Sequence, residues 1–347
     1  MSAPRPRPMK IWRIHLFGMR TFIHPRLVST TIILTILLII AAAIVMTRGT
    51  IPITAQDIIR TLTAPDNSLA SNAILSLRLP KVITAAATGA CLGIAGLLFQ
   101  SLSRNALGSP EIIGVVTGAA FGAVIGVIIL GTHGWATALS AVIGCLIATS
   151  VGYLLTATKT LNVTRFLLVG IGLSAWWSAL TTLVLTRSDP DIGTAAHMWL
   201  VGSLNARTWE HAIVSTVPLL LLIPFALLLS RHLAVMELGV DMATSIGVNL
   251  KKTGLYAGLV GVILTACGIA ATGPISFISL TAPHLAFALG GVRTPPIITS
   301  ALCGSLLLVS SELAMSYMPS GLSAPVGIAT SVLGGIYLII VVLRRPR

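Results

Sequence analysis

Ten apolar stretches follow one another along the chain, at 28–46, 82–102, 112–131, 136–157, 166–186, 212–230, 253–272, 275–291, 296–311 and 324–343. Crossing the hydrocarbon core of a bilayer takes about 20 mainly apolar residues in a helix. Lipid offers no partner to backbone amides and carbonyls, so each crossing segment must pair them internally. A chain built this way is expected to fold as an all-α polytopic membrane protein of about ten transmembrane helices. Composition agrees: 9% of residues are charged and the mean hydropathy is +0.97, whereas a soluble domain carries about 25% charged residues. The eighth stretch is the weakest. It is short, opens on "TGPISF" and holds Pro283 and His284, which predicts a broken or partly re-entrant helix.

The net charge of +13 would suggest a nucleic-acid partner if it were spread evenly, but it is not. An even number of spans puts both ends on one side. That side receives 16 of the 22 lysines and arginines, among them Arg5, Arg7, Lys10, Arg104, Lys251, Lys252 and Arg345. The other side receives Arg48, Arg60, Arg78, Lys81, Arg187 and Arg207. The positive-inside rule then places both termini in the cytoplasm and leaves no need for nucleic acid. Residues 1–27, opening "MSAPRPRPMKIWRIHLFGMR", lack the apolar core and small-residue cleavage site of a secretory signal. They read as a basic cytoplasmic tail lying against anionic lipid, with 28–347 as the transmembrane domain. Cys91, Cys145, Cys267 and Cys303 all fall inside apolar stretches with no paired spacing. They read as small core residues, not disulfides or metal ligands.

Motifs for chemistry are missing. The chain has no GxxxxGK[ST] phosphate loop, no HExxH and no GxSxG. No catalytic residue, metal or cofactor is therefore expected in it. If ATP drives this protein, a partner chain binds the ATP and Mg and hydrolyses it. Of the nine acids, Glu312 is the one expected within a span, and it lies toward an end. Ion-coupled carriers need buried ionisable groups, so a secondary carrier is the weaker alternative, which co-purification with an ATPase would separate. His284 alone makes a poor iron site.

Three polar segments interrupt the apolar pattern. In "SLRLPKV", Arg78 and Lys81 stand on adjacent helical turns where the second span enters lipid; interfacial snorkelling and an external docking surface are both open readings. The second is "SRNALGSP", residues 103–110. The third, "VMELGVDMATSIGVNLKKT", residues 235–253, is too polar to span and long enough for two short helices joined by a turn. It reads either as an amphipathic surface connector or as a docking element for a cytoplasmic partner.

From about residue 75 onward, "LRLPK", "GACLGIAGLLFQSLSRNALGSPEIIGVVTGAAFGA", "ELGVDMATSIGV", "GPISFISLTAPHLA" and "APVGIATSVLGGIYLI" together resemble the permease family of ABC importers for iron–siderophore complexes, haem and cobalamin. The resemblance implies a ten-span subunit, two of which enclose a central pathway. It also implies two ATP-binding subunits below and a substrate-binding protein or lipoprotein above, in a bacterial cytoplasmic membrane. A cytoplasmic gate is implied at Asn105 and Leu107, completed by Val163 and Thr164 in the turn before the fifth span. Arg78 and Lys81 match the external docking positions. The segment 235–252 matches the ATPase coupling element, with Glu237, Leu238, Gly239, Val240, Asp241, Ala243, Ser245, Ile246, Gly247 and Val248 in it. "FQSLSRNALGSP", "LVGSLNARTW" and "GPISFISLTAPH" are most similar to family members for ferric enterobactin, which pair with a second, homologous permease. A ferric catecholate siderophore is thus the first expectation, with other ferric siderophores, haem and cobalamin open. Three departures stand out. Ala106 replaces the proline of an RNPL pattern, Phe287 replaces the arginine of PHIAR, and Ser316 stands where a cobalamin member has a docking arginine.

Overall fold

The computed structural model describes residues 12–16, 19–23, 25–49, 51–64, 66, 68–111, 114–132, 134–156, 163–292, 294–318 and 324–344. Apart from an N-terminal ribbon of two antiparallel strands, β1 (Trp12–Leu16) and β2 (Met19–Ile23), the fold is helical. In chain order the helices are α1 (Pro25–Thr47), α2 (Ala55–Thr63), α3 (Leu69–Ala73), α4 (Leu79–Ser103), α5 (Val115–Ile128), α6 (Trp135–Thr156), α7 (Val163–Arg187), α8 (Pro190–Leu200), α9 (Trp209–Glu237), α10 (Val240–Ser245), α11 (Leu250–Thr272), α12 (Ile278–Gly290), α13 (Ile297–Ser316) and α14 (Val326–Arg344). One wide π turn, Ile74–Arg78, joins α3 to α4.

Ten of these helices cover the ten apolar stretches. Seven are long and apolar enough to cross a membrane, while α5, α12 and α14 are shorter. Contacts between loops sort the helix ends onto two faces. On one face, Arg78 donates to the Met46 carbonyl at the end of α1 (2.6 Å), and Trp209 at the start of α9 donates to the Leu75 carbonyl (2.9 Å). On the other, Arg26 Nε at the start of α1 donates to the Leu289 carbonyl near the end of α12 (3.0 Å). Ser101 Oγ near the end of α4 donates to Glu237 at the end of α9 on that same face (3.3 Å). The first is called the α2 face and the second the α10 face.

Helix α4 is the central post of the bundle. In its most apolar 18-residue window 89% of residues are buried, against 11% in α7, so the one is enclosed by protein while the other shows its apolar side chains to lipid or to a partner. Glycines allow the enclosure. An added Cβ at Gly89 would overlap the Gly304 carbonyl of α13, at Gly93 the Ser300 carbonyl, and at Gly96 the Ser279 carbonyl of α12. Small residues four and three apart face one way on a helix, and in lipid such close backbone approach is what drives helices together. Ser300 and Ser305 of α13 add hydrogen bonds across the seam, to the Gly93 and Ala86 carbonyls (2.8 and 2.6 Å). The four cysteines are free; Cys91, Cys145 and Cys303 are buried.

Two spans are shorter than a full crossing, for one physical reason. The third stretch was expected to cross over 112–131, yet α5 holds only 14 residues, about 21 Å of rise against a hydrocarbon core of about 30 Å. The eighth, α12, holds 13 residues, about 20 Å, in line with a broken helix. Both begin inside the bundle. Beyond α4 the chain turns back, and Gly108, Ser109 and Pro110 are buried. Glu111 then meets Phe277 and Ser279, and Ser279 packs beside Gly96, some 10 Å of helix from the end of α4. Irregular backbone at such depth is permitted only because protein surrounds it.

Hydropathy alone gave no signal for α2, α3 and α8, which lie in polar connections. Helix α2 starts with a reciprocal capping box between Thr54 and Asp57. The Thr54 hydroxyl and amide hold the Asp57 carboxyl below its ordinary value. The segment 235–253 also departs from expectation. It contains one short free-standing helix, α10, because its flanks are taken up by the ends of α9 and α11.

Candidate functional site

The polar break after α4 is built by a helix stop. Arg104 takes the left-handed conformation (φ 48°), its amide reaches Ser101 O, and the amide of Asn105 reaches Gln100 O (3.4 and 3.2 Å). This double contact is the Schellman stop, with arginine where glycine is usual. Asn105 Oδ1 accepts the Leu107 amide (3.0 Å) and its carbonyl accepts the Gly108 amide (2.8 Å), so the turn is closed on itself. Leu107 projects from it, 47% exposed, on the α10 face. Gly108 fits because an added Cβ would overlap Ser103 Oγ. Of the other two residues matched to a gate, Val163 and Thr164 open α7, and their side chains lie outside the described residues.

Both ends of this turn are tied to the first turn of α12. Before it, Gln100 Nε2 donates to the Leu280 carbonyl (3.1 Å). After it, Glu111 Oε1 accepts the Phe277 amide (3.1 Å) and the Ser279 hydroxyl (2.8 Å). Phe277 caps α12 in the left-handed region, φ 68°. Glu111 lies between apolar stretches, so a count of acids inside spans leaves it out; "PEIIGV" leading straight into an apolar run is the available signal.

On the α2 face, Arg78 and Lys81 both have partners within the chain. Arg78 holds the Met46 and Ile51 carbonyls and so closes the end of α1 over the start of α4. Lys81 pairs with Glu312 near the end of α13, a carboxylate that is 7% exposed. Lys81 itself remains half-buried. Beside them Arg48 stacks on the Tyr317 ring, 4.2 Å from its centroid, and exposed Arg60 pairs with Asp66 (3.5 Å). Ser316 turns its hydroxyl back to the Leu313 carbonyl (2.7 Å).

On the α10 face, Ala243 is buried against the bundle while Leu238, Val240, Met242 and Ile246 are exposed. Glu237, Asp241, Ser245 and Gly247 are exposed around them, and Val248 is half-buried. Gly239 and Gly247 sit at φ 121° and 88° in open space. The Ser101–Glu237 hydrogen bond connects this segment to the last turn of α4, three residues before the break. Among the described residues, no three His, Cys, Asp or Glu side chains gather as a metal site.

A membrane bundle with a broken helix, a re-entrant polar turn and an exposed apolar segment that does not span is thus in place over most of the chain. Residues 34–344 match the FecCD transport family. The chain belongs to that family. This is the ABC importer permease family to which the sequence motifs pointed. The FecCD chain is 34% identical over 325 residues to the ferric enterobactin transport system permease protein FepG of Escherichia coli strain K12, covering 92% of this chain and 98% of that one. It is 31% identical to the Fe(3+) dicitrate transport system permease protein FecD of the same organism, over 78% of this chain and 85% of that one. A solved chain described as a metal-chelate type ABC transporter in an inward-facing conformation superposes with a TM-score of 0.79 at 26% identity, covering 92% and 99% of the two chains.

Proposed function

We propose that this FecCD-family chain is one of two homologous permease subunits of an ABC importer in a bacterial cytoplasmic membrane, moving a ferric catecholate siderophore inward. Two ATP-binding subunits would dock on the α10 face and carry the ATP and Mg, and a substrate-binding protein would dock on the α2 face. The observation that carries the reading is the apolar patch of Leu238, Val240, Met242 and Ile246. It lies on a segment too short to span, in a chain that has no nucleotide-binding motif of its own. Such a patch suits a partner that supplies the energy. Orientation follows from charge: Arg26, Arg104, Arg231, Lys251 and Lys252 border the α10 face, which supports placing it and both termini in the cytoplasm. The catecholate rests on the likeness to the E. coli ferric enterobactin permease; the dicitrate relative keeps another ferric siderophore as the second reading. An ion-coupled carrier is disfavoured because Glu312 is neutralised by Lys81 and Glu111 is held by two donors. Affinity purification of the tagged chain tests the class: a Walker-motif ATPase should co-purify in near-stoichiometric amount, and a chain that transports without one overturns it.

In this reading Asn105, Leu107, Val163 and Thr164 form the cytoplasmic gate. Leu107 supplies an apolar plug that disfavours a continuous water column. Replacing Asn105, Leu107 and Thr164 together by alanine should leave α4 and α7 in place and raise small-solute leak from proteoliposomes without ATP. An unchanged leak, with uptake still tightly coupled to ATP, would show the segment to be a plain connection.

Arg78 and Lys81 are the candidate anchors for the binding protein. Each exposed ion pair is worth only about 0.2–1 kcal/mol, so single alanines should do little. Reversing both to glutamate turns attraction into repulsion and should slow association more than it speeds release. Glu312→Gln must accompany the reversal, since Lys81→Glu would otherwise face a buried carboxylate. Association kinetics across a salt series are the readout; unchanged rates and salt dependence would assign both cations to structure alone.

A further inference from the structure

We infer that Glu111 is a positioning residue of the gate, fixing the re-entrant turn to the half-helix α12 so that the two move as one body. The inference rests on the gate reading above and extends it to a residue outside the gate itself. Three observations carry it. First, one carboxylate oxygen accepts both the Phe277 amide (3.1 Å) and the Ser279 hydroxyl (2.8 Å). The amide is one that α12 leaves unpaired at its N-terminal end, and a negative group there is favoured by the helix dipole. Second, the Glu111 carbonyl faces the opposite way, accepting Ser174 Oγ of α7 (3.4 Å). Helix α7 is the one whose first residues are the other gate half. Glu111 therefore stands between α12 and α7, with a contact to each. Third, Gln100 holds the upstream end of the same turn to Leu280 of α12 (3.1 Å). Residues 101–110 are thus strung between two anchors on one helix turn, and the downstream anchor is a carboxyl group with two donors.

Removing the acceptor strands the Phe277 amide and the Ser279 hydroxyl, and a buried donor left without its partner shifts a two-state equilibrium by about tenfold. Glu111→Ala should therefore free the turn, while Glu111→Gln keeps an acceptor oxygen and should restore much of the wild-type behaviour. A purely structural contact would not show this pattern in a local accessibility readout.

The test uses the complete importer, permease with its ATPase subunits, in proteoliposomes. Ala106→Cys places a thiol on the turn, and a membrane-impermeant maleimide supplied on the α10 face reports its exposure, with the chain lacking that cysteine as the blank. In the resting state Glu111→Ala should raise the labelling rate of Ala106→Cys about tenfold and raise small-solute leak with it. Glu111→Gln should stay within about threefold of wild type in both. If Glu111→Ala fails to assemble, Ser279→Ala removes one donor from the α12 side and should give an intermediate increase. Labelling unchanged in Glu111→Ala, or in Ser279→Ala where that variant stands in, overturns the positioning role. Labelling raised with leak unchanged upholds the clamp and overturns the gate assignment.

Discussion

Gly96→Ala is expected to lower the stability of the fold sharply, although it adds one methyl group. The new Cβ would overlap the Ser279 carbonyl oxygen, which belongs to backbone at the first turn of α12 and cannot rotate away. The helices would have to separate along the α4 seam, where Gly89 and Gly93 meet α13 in the same manner. Overpacking a close contact costs about 1–3 kcal/mol, and backbone against backbone belongs at the upper end. The same substitution at Gly258, in α11 with nothing within 4 Å of an added Cβ, should be neutral or gain up to about 1 kcal/mol through the lower chain entropy of alanine. Thermal unfolding of the detergent-extracted proteins measures both. Equal melting temperatures for Gly96→Ala and Gly258→Ala would remove the glycine seam from the account.

Gly239→Trp is expected to give a folded, membrane-inserted permease that has lost its ATPase or its coupling. Gly239 joins α9 to α10 at φ 121° and ψ 157°, a region open to glycine and costly by about 1–3 kcal/mol for other residues. An added Cβ there meets nothing within 4 Å inside the chain. The damage should therefore fall on the partner, through a re-aimed α10 and a bulky group on the docking face. Gly247→Asn is the matched control. Its φ of 88° is near the left-handed region, which asparagine tolerates, so assembly should persist. Co-purified ATPase and ATP-driven uptake are the readouts. Normal uptake by Gly239→Trp would detach residues 237–249 from energy coupling.

Much of this architecture is legible in the sequence because hydropathy reports directly on the solvent a segment must meet. The ten apolar stretches fall on ten helices, and the interrupted pattern around "TGPISF" announced that α12 is short. What hydropathy cannot report is depth. Residues 112–114 are as apolar as the helix that follows, so α5 looked full length, although the chain had already re-entered the bundle at Gly108. Nor does it distinguish a helix surrounded by protein from one surrounded by lipid: α4 and α7 have mean hydropathies of 2.0 and 1.7 over their best windows, yet opposite burial. The glycines of α4 held that information, in their spacing. The proposed sites divide in the same way. Asn105, Leu107, Gly239 and Gly247 stand out as polar or small residues between apolar runs. Glu111 does not, because its role depends on Phe277 and Ser279, more than 160 positions away. The partners of Lys81 and Arg78 were likewise out of reach of local pattern.

On the proposed function, this chain conducts a ferric siderophore only when a partner ATPase works on its α10 face. This is tested most directly in proteoliposomes holding the permease pair and its ATPase, with the cognate binding protein and an iron-labelled ferric catecholate supplied on the α2 face. Accumulation of label that requires ATP and the binding protein, and that collapses when ATP hydrolysis is blocked, is the predicted result. Accumulation driven by a proton or sodium gradient without ATP would contradict it.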